Sequence, residues 1–311
     1  MNPDIQAKPP IVKAELILLL VALLWGGTFA MIKSVLVDVS PMVFVSMRFG
    51  LASLILFILF RSSFSNLKKH HFTEGALLGV ILFSGFITQT IGLKDTTATK
   101  SAFITGTFVV LTPVFQVIIE RRMPSLVNII GIVIVFTGIA FLSSSGESPL
   151  SVFTEIGSNF TFGDFLTFIG AVFYALYIVY LDIISGRHDY RFLTFFQIAV
   201  TFVLAVASAF LLDISGVEPA ALTLNSGVIG AVLYTSIFAT IITTFLQTRY
   251  QRAVTPTKAG IIFSFEPIFA AIFAYFLLSE LPGLLGFIGG ILIVGGIIFT
   301  EVAGRKEGEI S

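Results

Sequence analysis

Apolar runs of about 20 residues, long enough to cross about 30 Å of hydrocarbon, recur along almost the whole of this 311-residue chain with only short polar breaks. Ten can be placed, near residues 15–36, 41–60, 75–93, 100–119, 126–142, 163–184, 191–212, 227–248, 258–278 and 283–300. A backbone facing lipid must satisfy its own N–H and C=O groups, so each run is expected to be a helix. Junctions at Ser40-Pro41, Met123-Pro124 and Leu281-Pro282 fit helix breaks. Hydrophobic residues make up 56% of the chain and charged residues 12%, where a globular domain is roughly a quarter charged. An all-α integral membrane protein is therefore expected. The first run continues from Leu16 past Trp25 to about Leu36, longer than the apolar core of a cleaved signal peptide, and reads as a first span.

The chain reads as a doubled unit. An offset of 158 positions, 258 against 100, sets Thr257-Lys258 on Thr99-Lys100, Pro282 on Pro124, Gly289 on Gly131, Gly296 on Gly138 and Gln247 on Gln89. Nearer each repeat's start the offset is 149, 174 against 25, placing Tyr174 on Trp25 and Gln197 on Arg48; a longer loop around Ser215–Gly227 absorbs the difference. Five spans per repeat is an odd number, so the second repeat must enter the bilayer inverted relative to the first. Inverted repeats are a recurring plan of secondary transporters, with the substrate site near the midplane between the halves. The expected organisation is a tail over 1–14, a first repeat over 15–142, an extracytoplasmic linker over 143–162, a second repeat over 163–300 and a tail over 301–311. Both tails are short and polar, leaving no soluble domain for a catalytic module.

Charge placement gives the orientation. With a cytoplasmic N-terminus, the inside collects Lys8, Lys13, Arg61, Lys68, Lys69, Arg121, Arg122, Arg187, Arg191, Arg249, Arg252, Lys258, Arg305 and Lys306, against Lys33, Lys94 and Lys100 outside. Both termini are then cytoplasmic, in a multi-pass protein of the cell membrane. The formal net charge is zero, so nothing supports a nucleic-acid partner. The absence of cysteine removes disulfides, thiolate metal sites and cysteine nucleophiles. No cofactor, metal or catalytic residue is expected. His70-His71, beside Lys68-Lys69, reads as a solvated basic cluster in an inside loop, and His188 also falls in a loop. Asn159-Phe160-Thr161 matches a glycosylation sequon, a frequent chance match.

The ordered motifs, more than any one of them, resemble the drug/metabolite transporter superfamily in its ten-helix EamA-type branch. They are ALLWGGTFAMIK at Ala22–Lys33, PMVFVSMRFGLAS at Pro41–Ser53 and ATKSAFITGTFVVLTPVF at Ala98–Phe115 in the first half. The second half carries GDFLTFIGAVFYALY at Gly163–Tyr177, QRAVTPTKAG at Gln251–Gly260 and SFEPIFAAIFAYFLLSELP at Ser264–Pro282. The basic pair Arg121-Arg122 and Ser279 depart from the family pattern, which has Gly-Glu and Gly at those junctions. The resemblance implies movement of small metabolites or amphipathic compounds by alternating access, usually as export, without nucleotide hydrolysis. It also implies an inward-facing role for Arg48.

Glu266 carries the most information, lying roughly 12 Å along its helix from Lys258. A bare charge at that depth costs at least about 2.5 kcal/mol, so this side chain must face a cavity, pair with a cation or hold a proton. A proton held there would couple to substrate movement; the alternative is a protonated carboxyl that hydrogen-bonds a neighbouring helix. Pro267 and Pro113 each remove a backbone donor and should kink their helices, as hinges or as simple packing kinks. Arg48 sits roughly 10 Å inside its span, where it can snorkel, bridge helices or contact substrate, and a direct pair with Glu266 is disfavoured by an axial gap of about 8 Å. Trp25, Tyr174, Tyr177, Gln89 and Gln247 are the expected cavity lining, against ordinary helix packing. Gly286 and Gly290 form a small-xxx-small pair expected to pack on the Gly131/Gly138 helix within a monomer, or less favourably in a weak homodimer. The rival functions are an intramembrane enzyme, which lacks a nucleophile and base at membrane depth, and a channel, which would show polar rings. No phosphate-binding Gly-x-x-x-x-Gly-Lys-Ser/Thr loop is present.

Overall fold

Prolines and capping side chains set the helix boundaries. The computed structural model describes residues 9–62, 69–142, 160–278 and 283–310. Within them the first repeat comprises α1 (Ile11–Gly26), α2 (Thr28–Val35), α3 (Pro41–Phe60), α4 (Lys69–Lys94), α5 (Ala98–Gly106), α6 (Phe108–Glu120) and α7 (Leu126–Leu142). The second comprises α8 (Phe162–Ser185), α9 (Tyr190–Ile214), α10 (Ser226–Ser236), a π-helical turn (Ile237–Ile242), α11 (Thr243–Tyr250), α12 (Pro256–Phe263), α13 (Glu266–Leu278) and α14 (Leu284–Ile310). Pro41 and Pro256 occupy first turns, where a missing N–H leaves no bond unmade. The side chains of Thr97, Thr161, Asn225 and Thr255 each accept a first-turn N–H.

These helices supply eight stretches long and apolar enough to cross a membrane, with shorter apolar helices at Leu126–Phe141 and Leu284–Thr300. All ten expected runs are helical. The last helix continues to Ile310, past the boundary expected at residue 300, through a segment rich in the helix formers Glu, Lys and Arg. Residues 1–8, 63–68, 143–159, 279–282 and 311 lie outside the described residues, and with them most of the expected linker, Asn159 of the sequon, Lys68, and the junction around Glu280 and Pro282.

Side-chain contacts fix helix directions. α8 runs antiparallel to α4: Gly163 meets Gly92 at one end, Tyr174 meets Gly85 midway, and Tyr180 donates to Glu74 at the other end. The equivalent pairing in the other repeat is α1 against α10–α11, with the Tyr234 hydroxyl on the Leu24 carbonyl and Ala14 packed with Tyr250. Equivalent helices also pair with each other, α3 with α9 and α7 with α14. The two repeats are thus intercalated, each of these pairings having a counterpart on exchange of the halves. One face of the body carries the ends of α2, α4 and α9 and the starts of α3, α5, α8 and α10. There the 36–40 and 217–225 segments meet, with Ser40 N–H on the Ala221 carbonyl and Thr223 N–H on Asp38. The opposite face carries the starts of α1, α4, α9 and α12.

The core is apolar, with Leu18, Phe49, Leu78, Leu181, Leu193 and Phe263 fully buried. The outside is apolar too: Leu16, Leu54, Phe57, Phe210 and Ile291 are exposed, as a lipid solvent requires. α7 and α14 approach through glycine, since a Cβ on Gly138 would lie 2.8 Å from the Gly289 carbonyl oxygen and one on Gly296 would meet Val135 at the same distance. This corrects the expected pair in part. Gly286 is buried, but Gly290 has nothing within 4 Å of its would-be Cβ; Gly289 and Gly296, seven residues apart, make the seam with Gly131 and Gly138. Gly138→Ala is expected to cost about 1–3 kcal/mol of stability by overpacking, whereas Gly290→Ala should be neutral in detergent melting.

Pro113 lies inside α6, and a separate interruption that the sequence did not mark falls at Thr107, where the Thr107 hydroxyl donates to the Ile104 carbonyl at 2.6 Å and competes with the helix ladder. One further expectation needs correction. His71 is not solvated as expected: it lies buried in the first turn of α4, stacked on Phe192 at 4.7 Å between ring centres and edge-on to a buried His188 at 5.8 Å. Their apolar ring faces pack where loop-like sequence had suggested water.

Candidate functional site

Three helix interruptions meet at the middle of the body. α1 gives way to α2 at Gly27, α5 to α6 at Thr107, and α12 to α13 at Ser264-Phe265. Gly26 lies so close to the start of α13 that a Cβ would be 2.5 Å from the Phe269 Cβ and 3.0 Å from the Glu266 carbonyl. Pro267 Cγ packs toward Gly106, so the interruptions of the two repeats touch. Pro267 falls in the first turn of α13, where it ends one helix segment without leaving an N–H bond unmade.

These interruptions surround a cavity of about 70 Å³, lined from both repeats. The five residues expected to line a cavity, Trp25, Gln89, Tyr174, Tyr177 and Gln247, border it together with the candidates Arg48 and Glu266, with Thr105, Phe108, Thr240 and Phe263 among their neighbours. The repeat extends to the lining: at the 158-residue offset, Phe108 is the counterpart of Glu266 and Thr105 that of Phe263. Each break therefore presents the residues on either side of it to the cavity.

Arg48 is buried and does not snorkel. Its Nε donates to Thr240 Oγ1 at 2.7 Å and its Nη2 to the Ala239 carbonyl at 2.8 Å, while the guanidinium lies 4.6 Å from the Phe86 ring centre. Both acceptors belong to the π-helical turn, whose wider hydrogen-bond spacing leaves a carbonyl available inside a helix. This bridge answers the structural alternative for Arg48, and the donors it leaves over border the cavity. Glu266, 8% exposed, has no hydrogen-bond or ion-pair partner among the described residues, Arg48 included. Its place in the first turn of α13 puts it at the positive end of that helix dipole.

The amides are held in chains. Gln89 donates to Thr105 Oγ1 at 2.9 Å and accepts from the Tyr174 hydroxyl at 2.9 Å. Gln247 donates to Gln251 at 2.8 Å, which in turn donates to the Ile178 carbonyl. Tyr177 presents its ring to the cavity but its hydroxyl donates to Gln197, the counterpart of Arg48, which donates to Thr248. Trp25 rests against Phe263, ring centres 5.2 Å apart. The arrangement offers a ligand two aromatic faces, one amide oxygen and two ionisable groups that are not paired with each other. Among the described residues no three His, Asp or Glu side chains gather as a metal site. The sequence reading missed Thr240 and Ala239, because a π-helical turn inside a β-branched run such as IFATIITT leaves no periodicity signal.

A duplicated, membrane-spanning helical body around a cavity lined by aromatic, amide and ionisable side chains belongs to the class of membrane transporters. The family match and the curated relatives agree with that class. The chain belongs to the EamA-like transporter family, whose model matches residues 12–144 and again 161–302, within the drug/metabolite transporter superfamily. It is 31% identical over 289 residues to an uncharacterized transporter of Archaeoglobus fulgidus, covering 93% of this chain and 86% of that protein. A second uncharacterized transporter of the same organism is 28% identical over 296 residues, with 93% and 97% covered. A solved crystal structure at 17% identity superimposes with a TM-score of 0.75 over 96% of this chain and 99% of its own, which supports the fold. Family and relatives point to a transporter rather than an enzyme.

Proposed function

We propose that this protein is a secondary transporter that exports small metabolites or amphipathic compounds across the cell membrane by alternating access, coupled to protons through Glu266. The observation that carries this reading is the unpaired Glu266 carboxyl facing a cavity that both repeats line. A carboxyl there that alternates between proton and substrate avoids the cost of a permanent buried charge. The aromatic faces of Trp25 and Tyr174 suit an apolar ligand body, and Arg48 and Gln247 suit a polar head. The cavity holds only a small solute without movement of its walls.

The excess of Lys and Arg on the face bearing the start of α1 supports cytoplasmic termini. The repeat boundaries proposed from the sequence, 15–142 and 163–300, lie within or close to the family matches. Glycine-mediated packing of α7 on α14 is used inside one chain, which favours a monomer or at most a weak homodimer. In proteoliposomes the purified protein should move a solute with saturable kinetics and show counterflow, accumulating labelled solute when preloaded with unlabelled solute. A linear, non-saturating flux with ion conductance would replace the carrier reading with a channel.

A further inference from the structure

Two ion pairs occupy equivalent places in the two repeats. Lys100, in the first turn of α5, meets Asp164, in the first turn of α8, at 2.6 Å. Lys258, in the first turn of α12, pairs with Glu15, near the start of α1. The 158-residue offset carries Lys100 onto Lys258, and the 149-residue offset carries Glu15 onto Asp164, so one pair is the image of the other. Even the local supports repeat: Thr97 and Thr255 accept the N–H of Lys100 and Lys258 at 3.1 and 3.2 Å.

Because the repeats are inverted, the images lie on opposite faces. The Lys100 pair sits where α4 ends and α8 begins, with Thr161 and Thr96 beside Asp164. The Lys258 pair sits where α1 begins, near Tyr250 and Ala253. Each lysine rides on a short half-helix, α5 of nine residues and α12 of eight, and each half-helix ends at a break beside the cavity. Rotation of a half-helix about its break would part the ion pair at one end and shift a cavity wall at the other, Thr105 for α5 and Phe263 for α12. Each pair is open to water on its lysine side: the lysine side chains are 26% and 28% exposed, while the carboxylates are 0% and 15%. A partly exposed ion pair gains little net energy, and buried Asp164 keeps the Thr96 hydroxyl and the Thr161 N–H as partners when Lys100 leaves. The third described pair, Arg191–Asp189, joins residues two apart at one helix start and links no separate elements.

We propose that Lys100–Asp164 and Lys258–Glu15 are reciprocal latches, one at each membrane face, whose alternate release selects the face to which the cavity opens. This rests on the alternating-access reading above; both latches are formed in this structure. Lys100 and Lys258 act here as positioning residues that contact no substrate.

The chain has no cysteine, so a single Thr244→Cys on the cavity wall reports access to a membrane-impermeant maleimide. Labelling rates are measured from each face in vesicles of both orientations, with counterflow measured in the same cysteine background. Lys258→Met should raise the rate from the Lys258 face relative to the opposite face by roughly threefold to tenfold, and Lys100→Met should move the ratio the other way, as loss of one weak ion pair dictates. Lys258→Arg and Lys100→Arg should leave the ratio near that of the parent. The Lys100→Met/Lys258→Met double variant should return toward it, a recovery that misfolding cannot produce. Intact counterflow with a ratio that neither single variant moves, or that both move alike, overturns the latches alone. Absence of counterflow in the unsubstituted protein overturns the alternating-access reading beneath them.

Discussion

Glu266→Gln is expected to abolish pH-gradient-driven transport while leaving solute counterflow intact. The amide matches the carboxyl in size and fills the same place on the cavity wall, but it carries no exchangeable proton charge. For export against protons, an acidic exterior drives solute outward as protons enter. One coupled proton per solute makes each pH unit of gradient worth about 1.36 kcal/mol, or roughly tenfold accumulation. In the variant that accumulation should fall to unity at any gradient, whereas exchange of solute for solute, which needs no net proton movement, should continue. Measured pH profiles in proteoliposomes decide the matter. A profile that keeps its slope in Glu266→Gln removes Glu266 as the proton carrier and leaves it a packing group.

Arg48→Met should produce the largest loss of stability among single changes at the cavity. Methionine retains the length and apolar contact with Phe86 but removes the donors to Thr240 and the Ala239 carbonyl. Hydrogen bonds to a charged group contribute about 1.5–3 kcal/mol each, partly offset because the buried guanidinium no longer needs desolvation, so a net cost of about 2–4 kcal/mol is expected. The π-helical turn, left with a carbonyl facing an apolar side chain, should relax toward α-helix and close that wall. Arg48→Lys keeps the charge but presents a point donor in place of a planar fork, so it should recover less than half of the loss. Melting in detergent checks the energy; an Arg48→Met protein that melts with the parent would mean that the bridge to the π turn contributes nothing net.

Much of this architecture was legible before any coordinates. Length of apolar runs gave the helices, because the bilayer fixes a minimum span whatever the side chains do. Internal repetition located the cavity: Trp25 and Tyr174, and Gln89 and Gln247, were singled out because they recur at constant offsets, and they line one space together. What could not be read was where a helix stops being regular. Proline was the only visible marker of interruption; it marked the break at Pro267 but not the one at Thr107, which depends on a hydroxyl competing for a carbonyl. The partner of Arg48 was hidden for a similar reason, being a backbone carbonyl exposed by a π turn. The seam of α7 and α14 follows Gly289 and Gly296 rather than the Gly286/Gly290 spacing, because a long antiparallel contact selects residues seven apart, two turns along one face. His71 was placed in a solvated loop because polarity in sequence does not reveal a ring stacked on Phe192, whereas His188 does lie in the loop expected for it.

The central claim is that two copies of one five-helix unit, inserted in opposite senses, enclose a shared cavity. Single cysteines at Gly186 and at Gly216, both in open turns with nothing near their Cβ positions, test it with an impermeant thiol reagent on intact cells; a cysteine at Gly216, φ +70°, strains only an exposed turn beyond the end of α9. Gly186 joins α8 to α9 and Gly216 follows α9, so the account predicts labelling of the Gly216→Cys protein from outside and of the Gly186→Cys protein only after permeabilisation. Labelling of both from the same side would place the ends of α9 on one face of the bilayer, and the inverted arrangement would be wrong.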